Sequence, residues 1–261
     1  MPNHGTPRLT MATHHQAIHP THHQKTRVMI HWHLRRCSRP RYCGAMQYAR
    51  KHVANRRAPL PRLTPRAVKW LERINRHGPL PSSYLYGITR DTHRCKDTAL
   101  RQMQTLCQQG ILFRPPQQQS ALYAPFNPYI YDLTDRGYDA LFEKGIDPNP
   151  ARPTGHFPHL FLTACVTASI EMNAIKSGVE CIEASTILNL RNVDLSIPLR
   201  SGKLIPDQLF ATKNNDGYRV FALEVDRGTE PAASTKTRKS YFSSIQAYSE
   251  VLTCDLHRRH Y

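Results

Sequence analysis

The sequence predicts a chain of mixed α/β class, α+β overall, with two folded units behind a basic tail. Apolar residues recur at helical spacing after residue 60, and short apolar runs joined by polar turns indicate strands. A stretch rich in proline and glycine separates the two units. We therefore divide the chain into a disordered basic tail rich in His and Arg, a first unit, a linker and a second unit: residues 1–60, 61–146, 147–155 and 156–261.

Positive charge is concentrated towards the start of the chain. Residues 1–60 contain 11 Lys and Arg and no acid, residues 61–155 contain 13 against 8 acids, and residues 156–261 contain 12 against 11. A basic first unit favours a polyanionic partner, most simply nucleic acid. The nearly neutral second unit does not predict a phosphate-binding surface throughout.

The first 60 residues show no sustained helical or strand period in HHQAIHPTHHQ or HLRRCSRPRYC. One interpretation is a basic arm that follows DNA phosphates. A metal-binding His tract and a tail without a role remain open. Sixty residues without an acid also fit a later translation start, such as Met29 or Met46.

Seven cysteines are scattered along the chain, and the closest pair, Cys37 and Cys43, lacks a familiar zinc spacing. No apolar core of a signal peptide follows the basic start, and no apolar run is long enough to span a bilayer. These features predict reduced thiols, a cytoplasmic protein and no membrane partner.

The first unit opens with the helix TPRAVKWLERINRHG. Thr64 is placed to cap it, Pro65 suits the first helical position and Gly78 ends it. PLPSSYLYGIT predicts a short second helix, from about Ser82 to Tyr86, ended by Gly87.

A third helix is predicted in RDTHRCKDTALRQMQTLCQQGIL, up to Gly110. Its apolar residues share one face at helical spacing: Ala99, Leu100, Met103, Leu106 and Cys107. The opposite face is polar and carries Arg94 and Arg101.

Two strands follow, around a polar tip, in ILFR and in ALYAPFNPYIYDLT, and a closing helix begins after Thr134. The segment YDLTDRGYDALFEKG resembles the Tyr-x-Leu-Thr-x-x-Gly ending of winged helix-turn-helix domains. The resemblance implies that Leu133 fills the core, that Thr134 caps the last helix and that Gly137 allows close packing.

In a winged helix the third helix enters the DNA major groove. The resemblance therefore implies that Arg94 and Arg101 reach bases or phosphates of double-stranded DNA. Arg90, Lys96 and the wing residue Arg114 are expected to contact phosphates. The alternatives are an ordinary solvated face or a protein-binding winged helix.

After the linker, residues 156–177 predict a helix in which Glu171 interrupts an apolar row. VECIEASTIL indicates a strand near residues 179–184. KLIPDQLFAT and YRVFALEVD indicate two further strands around the turn KNNDG, and SSIQAYSEVL indicates a closing helix.

This order resembles the PD-(D/E)xK nuclease-like core, in which carboxylates from a Pro-Asp strand and the next strand hold a divalent metal. The resemblance implies that Asp207 and Glu224 bind Mg²⁺ and that Glu171 approaches from the helix. The metal would activate water and stabilise charge at phosphorus. Where the pattern has Lys this chain has Asp226, and Lys239 or Lys236 is a candidate to restore the cation.

The combination of PDQLF, ALEVDRGTEP and a helix ending in QAY resembles the replication-relaxation family of plasmid and mobile-element proteins over residues 62–255. The resemblance implies DNA as the partner, with replication or mobilisation proteins as further candidates. Nuclease-like cores usually continue with another strand, so we expect this chain to be truncated at its C-terminus.

Three functions remain open at this point. The first is a DNA-binding protein of plasmid or mobile-element replication, relaxation or mobilisation. The second is an active metal-dependent endonuclease or nickase that uses Asp207 and Glu224, with Glu171, Asp226 and Lys239 in support. The third is a winged-helix transcription regulator. The carboxylates also have purely structural roles open to them, with Asp207 starting a strand and Asp226 capping a turn.

Overall fold

A computed structural model describes residues 30–33, 59–92, 95–119, 129–214, 217–226 and 240–261. The described chain is of mixed α and β structure. It begins with a short strand, β1 (Ile30–His33), within the segment expected to be disordered. No helix in the described ranges is both long and apolar enough to cross a membrane.

The first unit alternates helices with short strands. Its elements in chain order are α1 (Pro65–His77), β2 (Leu80–Pro81), α2 (Ser82–Ile88), α3 (Lys96–Gln108), β3 (Leu112–Phe113), β4 (Ile130–Leu133) and α4 (Asp135–Phe142). The three strands form an antiparallel sheet in the order β2-β4-β3. The sequence predicted these helices and the β3–β4 pair.

Helix α1 begins and ends where the sequence predicted. The side chain of Thr64 accepts a hydrogen bond from the Ala67 N–H, and Pro65 occupies the first helical position, where no N–H is needed. At the other end Gly78 adopts φ 107°, which favours glycine. The prediction for α2 was wrong at its end: Gly87 lies inside the last turn, and the helix continues to Ile88.

The core of the first unit forms around Trp70, Leu71 and Ile74 of α1, which are fully buried. The indole N–H of Trp70 donates to the Leu85 carbonyl at 2.8 Å and to the Thr89 hydroxyl at 2.9 Å. Because a buried indole needs such a partner, these bonds fix α2 against α1.

The junction between β4 and α4 matches the prediction from its motif. Leu133 is fully buried, and the Thr134 hydroxyl accepts from the Gly137 N–H at 3.1 Å. A Cβ atom at Gly137 would lie 2.4 Å from the Ile111 carbonyl oxygen. Glycine therefore allows α4 to approach the chain that leads into β3.

The second unit places helices beside a sheet whose own strands are antiparallel. Its elements are α5 (Phe157–Lys176), β5 (Glu180–Glu183), α6 (Ala184–Arg191), β6 (Ile197–Leu199), β7 (Gly202–Leu204), β8 (Gln208–Asn214), β9 (Gly217–Asp226), α7 (Tyr241–Thr253) and α8 (Leu256–His260). The predicted helices and strands correspond to α5, β5, β8, β9 and α7. Helix α6, the β6–β7 hairpin and helix α8 were not predicted from the sequence.

The main sheet has the order β1-β9-β8-β5. Strands β5, β8 and β9 are antiparallel neighbours, and β1 runs parallel to β9 with His33 in register with Asp226. The strand beside β9 is contributed by residues that precede the first unit.

Residues 147–155, predicted as a linker, lack regular secondary structure but pack against the first unit. The Asn149 N–H donates to the Asn75 side-chain oxygen at 3.0 Å. Arg152 forms an ion pair with the buried carboxylate of Asp132. The segment is therefore held at two points rather than passing freely between the units.

Candidate functional site

Asp207 and Glu224 lie side by side where β8 and β9 pair. The antiparallel register places Gln208 opposite Leu223, so the residue before β8 and the residue after Leu223 are neighbours across the hairpin. The register thus places Asp207 and Glu224 at neighbouring backbone positions where the β8–β9 pairing begins.

Each carboxylate is held by neighbouring groups. The Val225 N–H donates to Asp207 Oδ2 at 2.7 Å, and His159 Nε2 lies 3.0 Å from Asp207 Oδ1. The Tyr248 hydroxyl donates to Glu224 Oε1 at 2.8 Å. The site is therefore assembled from the start of α5, the β8–β9 hairpin and the middle of α7.

The pKa of Tyr248 reflects its burial and the negative charge of the two carboxylates. Burial and the charges of Glu224 and Asp207 raise the pKa of Tyr248 far above its ordinary value. Both carboxylates therefore act on the same phenol, which stays protonated and serves as a hydrogen-bond donor.

The oxygen ligands of Asp207 and Glu224 are the type that hard divalent cations prefer. Within the described ranges, no group of three or more His, Cys, Asp or Glu side chains could hold a metal ion. Asp207 and Glu224 offer two oxygen ligands. Mg²⁺ commonly binds through one or two carboxylates and takes its other ligands from water and substrate phosphate. The pair is compatible with Mg²⁺ and not with a closed, all-protein metal cage.

Glu171 has different partners from those that its predicted role requires. It is buried in α5 where that helix packs on α1, and its carboxylate pairs with Arg73 at 2.7 Å, with Arg76, and with His77 at 2.6 Å. We call these four residues the α1–α5 cluster. The apolar row that Glu171 interrupts thus faces three basic side chains of α1.

Electrostatics keep Glu171 charged. Burial alone would raise the pKa of its carboxyl, but the hydrogen bond from His77 and the nearby positive charges of Arg76 and Arg73 outweigh burial and lower the pKa to about 2. Burial lowers the pKa of His77, so the neutral imidazole donates from Nε2. The cluster is an ion-pair contact between two helices.

The remaining predicted catalytic residues are only partly described. Asp226 ends β9 and is half-buried. Lys236 and Lys239 lie outside the described residues. The cation that the PD-(D/E)xK pattern requires therefore stays a prediction.

The predicted DNA-contacting residues lie on and around α3. Arg90, Lys96 and Arg101 are exposed, whereas Arg94 lies outside the described residues. Arg114 is half-buried, with its guanidinium 3.9 Å from the centre of the Tyr129 ring. Stacking of this kind holds the Arg114 side chain against the residue that precedes β4.

Arg66, which the sequence analysis missed, ties α1 to the start of α3. Its Nε donates to the Thr92 hydroxyl and its Nη1 to Gln102 Oε1, both at 2.8 Å. The sequence carries no local signal for this contact. Arg73, Arg76 and His77 were also missed, although a buried acid in an apolar row requires cationic or donor partners.

Comparison with known proteins gives one family. A family model described as replication-relaxation matches residues 71–260, which covers most of α1 to α8. Neither the curated proteins nor the solved structures contain a match to the chain.

Proposed function

Because the chain belongs to the replication-relaxation family, we propose that it is a DNA-binding protein of plasmid or mobile-element replication, relaxation or mobilisation. In this proposal residues 61–146 dock on duplex DNA as a winged helix. The single observation that carries the proposal is the topology of those residues together with the exposed face of α3.

The topology supports a winged helix in three respects. The order helix, strand, helix, helix, strand, strand, helix matches the order expected of that fold. The sheet order β2-β4-β3 places the first short strand beside the last, as an antiparallel wing requires. In a winged helix, the third helix of this order, here α3, is the one that enters the major groove.

The two faces of α3 differ in character. Ala99, Met103 and Leu106 are buried in the core of the first unit. Lys96 and Arg101 lie on the exposed side, where their charges are available to phosphates or to base edges. Asp97 is also exposed on this helix, so its surface is mixed rather than purely basic.

Contacts at the start of α3 hold the helix in place. Arg66 reaches both the turn at Thr92 and Gln102 on α3, and Trp70 anchors Thr89 just before that turn. A recognition element fixed on a rigid core loses less conformational freedom on binding. This arrangement supports docking by α3 as a pre-formed surface.

Fluorescence anisotropy with labelled duplex DNA and the full chain tests the proposal. We expect log Kd to change linearly with log salt concentration, at about 0.9 per phosphate contacted. An affinity that does not change between about 50 and 200 mM salt would contradict a phosphate-docking surface. A titration with an uncharged polymer of similar length serves as the control for non-specific association.

A second candidate function is metal-dependent cleavage of DNA, and the opposed carboxylates of Asp207 and Glu224 favour it. A bound Mg²⁺ would polarise the phosphate and supply an activated water. The residues of this chain would hold and orient the two carboxylates: Val225 and His159 at Asp207, and Tyr248 at Glu224. Asp226 stands where the pattern has Lys, so the water-positioning cation must come from elsewhere.

Incubation of supercoiled plasmid with the full chain and Mg²⁺ or Mn²⁺ separates the two functions. Nicking that is lost in Asp207→Asn would support cleavage. Gel shifts without nicking would support a DNA-binding protein that does not cut.

A further inference from the structure

We propose that His159 is the positioning residue of the Asp207–Glu224 pair, and that its imidazole holds Asp207 in the orientation from which the two carboxylates bind a divalent cation. The proposal rests on the second candidate function, in which this pair is a cation site. The sequence motifs gave no role to His159, and the chain places it 48 residues before Asp207.

The contact is specific to one carboxylate oxygen. His159 Nε2 lies 3.0 Å from Asp207 Oδ1, while the Val225 N–H holds Oδ2 at 2.7 Å. The Asp207 carboxylate thus accepts one hydrogen bond from α5 and another from β9.

The site is sheltered but reachable. The side chain of Asp207 is 14% exposed and that of His159 is 29% exposed. Both side chains therefore remain in contact with solvent. In metal sites, groups that hydrogen-bond to the ligands commonly set ligand orientation and affinity.

The position of His159 is fixed by the packing of α5. Phe157 and Leu160, in the same helical turn, are buried against Ile130 of β4. The rings of Phe157 and Phe161 stack with centroids 5.8 Å apart. A side chain on such a turn is held more precisely than one on a loop, which is what a positioning role requires.

The contact between His159 and Asp207 is of interest because this chain lacks the Lys of the nuclease-like pattern. The third position of the strand motif is Asp226 and supplies a further negative charge instead of a Lys nitrogen. His159 brings a nitrogen donor to the carboxylates from the helix instead of from the strand. It orients Asp207, and we assign it no role as a metal ligand.

Titration calorimetry with Mn²⁺ alone and the full chain tests the proposal. We expect His159→Ala to weaken Mn²⁺ binding by about 10- to 100-fold, the range for loss of a group that orients a metal ligand. His159→Gln should recover most of that loss, because its amide N–H can still donate to Asp207. His156→Ala is the matched control: His156 is exposed and its side chain makes no capping hydrogen bond, so affinity should be unchanged.

Several outcomes would overturn the proposal. Equal or tighter Mn²⁺ binding in His159→Ala would show that the imidazole does not position Asp207 for the cation. A His159→Gln affinity as low as that of His159→Ala would exclude positioning through a donated hydrogen bond. Thermal melts verify that each variant folds. If the Ala variant unfolds, the Gln variant still tests the proposal, because its amide can keep the hydrogen bond to Asp207.

The test also distinguishes this proposal from the functions it builds on. If Asp207→Asn binds Mn²⁺ as tightly as the natural sequence, or if the natural sequence binds none, the carboxylate pair is not the cation site and the proposal for His159 fails with it. Anisotropy with duplex DNA in the absence of metal then still reports whether DNA binding through residues 61–146 stands.

Discussion

His77 and Glu171 are joined by a hydrogen bond of 2.6 Å between Nε2 and Oε2, buried where α1 packs on α5. His77 is contacted at its other ring nitrogen by the Thr167 hydroxyl, at 2.9 Å, so both ends of the imidazole meet α5. The bond joins the element that opens the first unit to the helix that opens the second.

Replacement of Glu171 by Gln should destabilise the chain at neutral pH. Removal of one partner from a buried ion-pair cluster costs about 3–5 kcal/mol. We expect about 3 kcal/mol, the lower end of that range, because Arg73 and Arg76 are partly exposed and regain water. Chemical denaturation measures the loss, and Glu143→Gln, at an exposed carboxylate after α4, should change stability by less than about 0.5 kcal/mol.

The same residue predicts a pH dependence. The folded pKa of Glu171, about 2, lies below the ordinary value of 4.5. Its contribution to stability is therefore complete above about pH 4.5 and is lost as pH falls towards 2. The difference in unfolding free energy between the natural sequence and Glu171→Gln should shrink across that window. A difference that stays constant would mean that Glu171 is not charged in the folded state.

Replacement of Arg101 by Ala should weaken binding to duplex DNA. Loss of a base contact from a recognition helix, the role proposed for α3, costs about 1–3 kcal/mol, or about 5- to 160-fold in Kd. If Arg101 contacts only phosphate, the salt slope should fall by about one contact without loss of sequence preference. Anisotropy distinguishes these cases. Lys144→Ala, at an exposed cation outside the predicted interface, should leave Kd unchanged within twofold.

Two glycines provide a matched pair for stability. Alanine at Gly137 would place Cβ 2.4 Å from the Ile111 carbonyl oxygen, and backbone must move to relieve that clash. We expect a loss of about 1–3 kcal/mol in the free energy of unfolding. Alanine at Gly87 meets only Met172 Sδ at 3.7 Å and should stabilise α2 by up to about 1 kcal/mol. Thermal or chemical melts measure the stability of both variants. A stabilised Gly137→Ala variant together with a destabilised Gly87→Ala variant would contradict this account of the packing.

Conversion of Asp207 to Asn or of Glu224 to Gln should abolish any plasmid nicking by the chain. The expected loss is about 100-fold or more, the scale for removing one charged group from an active site, and a chelator should have the same effect. Glu180→Gln alters an exposed carboxylate on β5 of the same sheet and should nick normally. Nicking that survives in Asp207→Asn would show that the activity arises elsewhere or from a contaminant.

Local signals predicted much of this fold because they act over a few residues. Thr64, Gly78 and Thr134 mark helix boundaries through bonds or dihedral angles that the neighbouring chain fixes. Gly87 misled the prediction because glycine also tolerates the interior of a helix. Strand β1 was missed because its pairing partner lies nearly two hundred residues away and its own sequence carries no clear period.

The residues of the candidate site that belong to a sequence motif could be predicted, whereas those that depend on how the helices pack could not. The hairpin of β8 and β9 follows from KNNDG and the two apolar runs, and its register then places Asp207 beside Glu224. His159 and the α1–α5 cluster depend on how α5 docks, which hydrophobic periodicity does not determine. Glu171 showed the difficulty: its burial was foreseeable from the apolar row, but its partners on α1 were not.

Helix α5 has a practical consequence for dissecting the chain. Ala164 and Ala168 belong to the same buried cluster as Trp70, while His159 and Glu171 fasten opposite stretches of the helix to the hairpin and to α1. An expression fragment that ends at residue 155 would lack the part of its hydrophobic core that α5 supplies. The three basic side chains of the α1–α5 cluster would also lose their contact with Glu171. A soluble N-terminal half should therefore extend through Lys176, and the C-terminal half has no equally clean place to start.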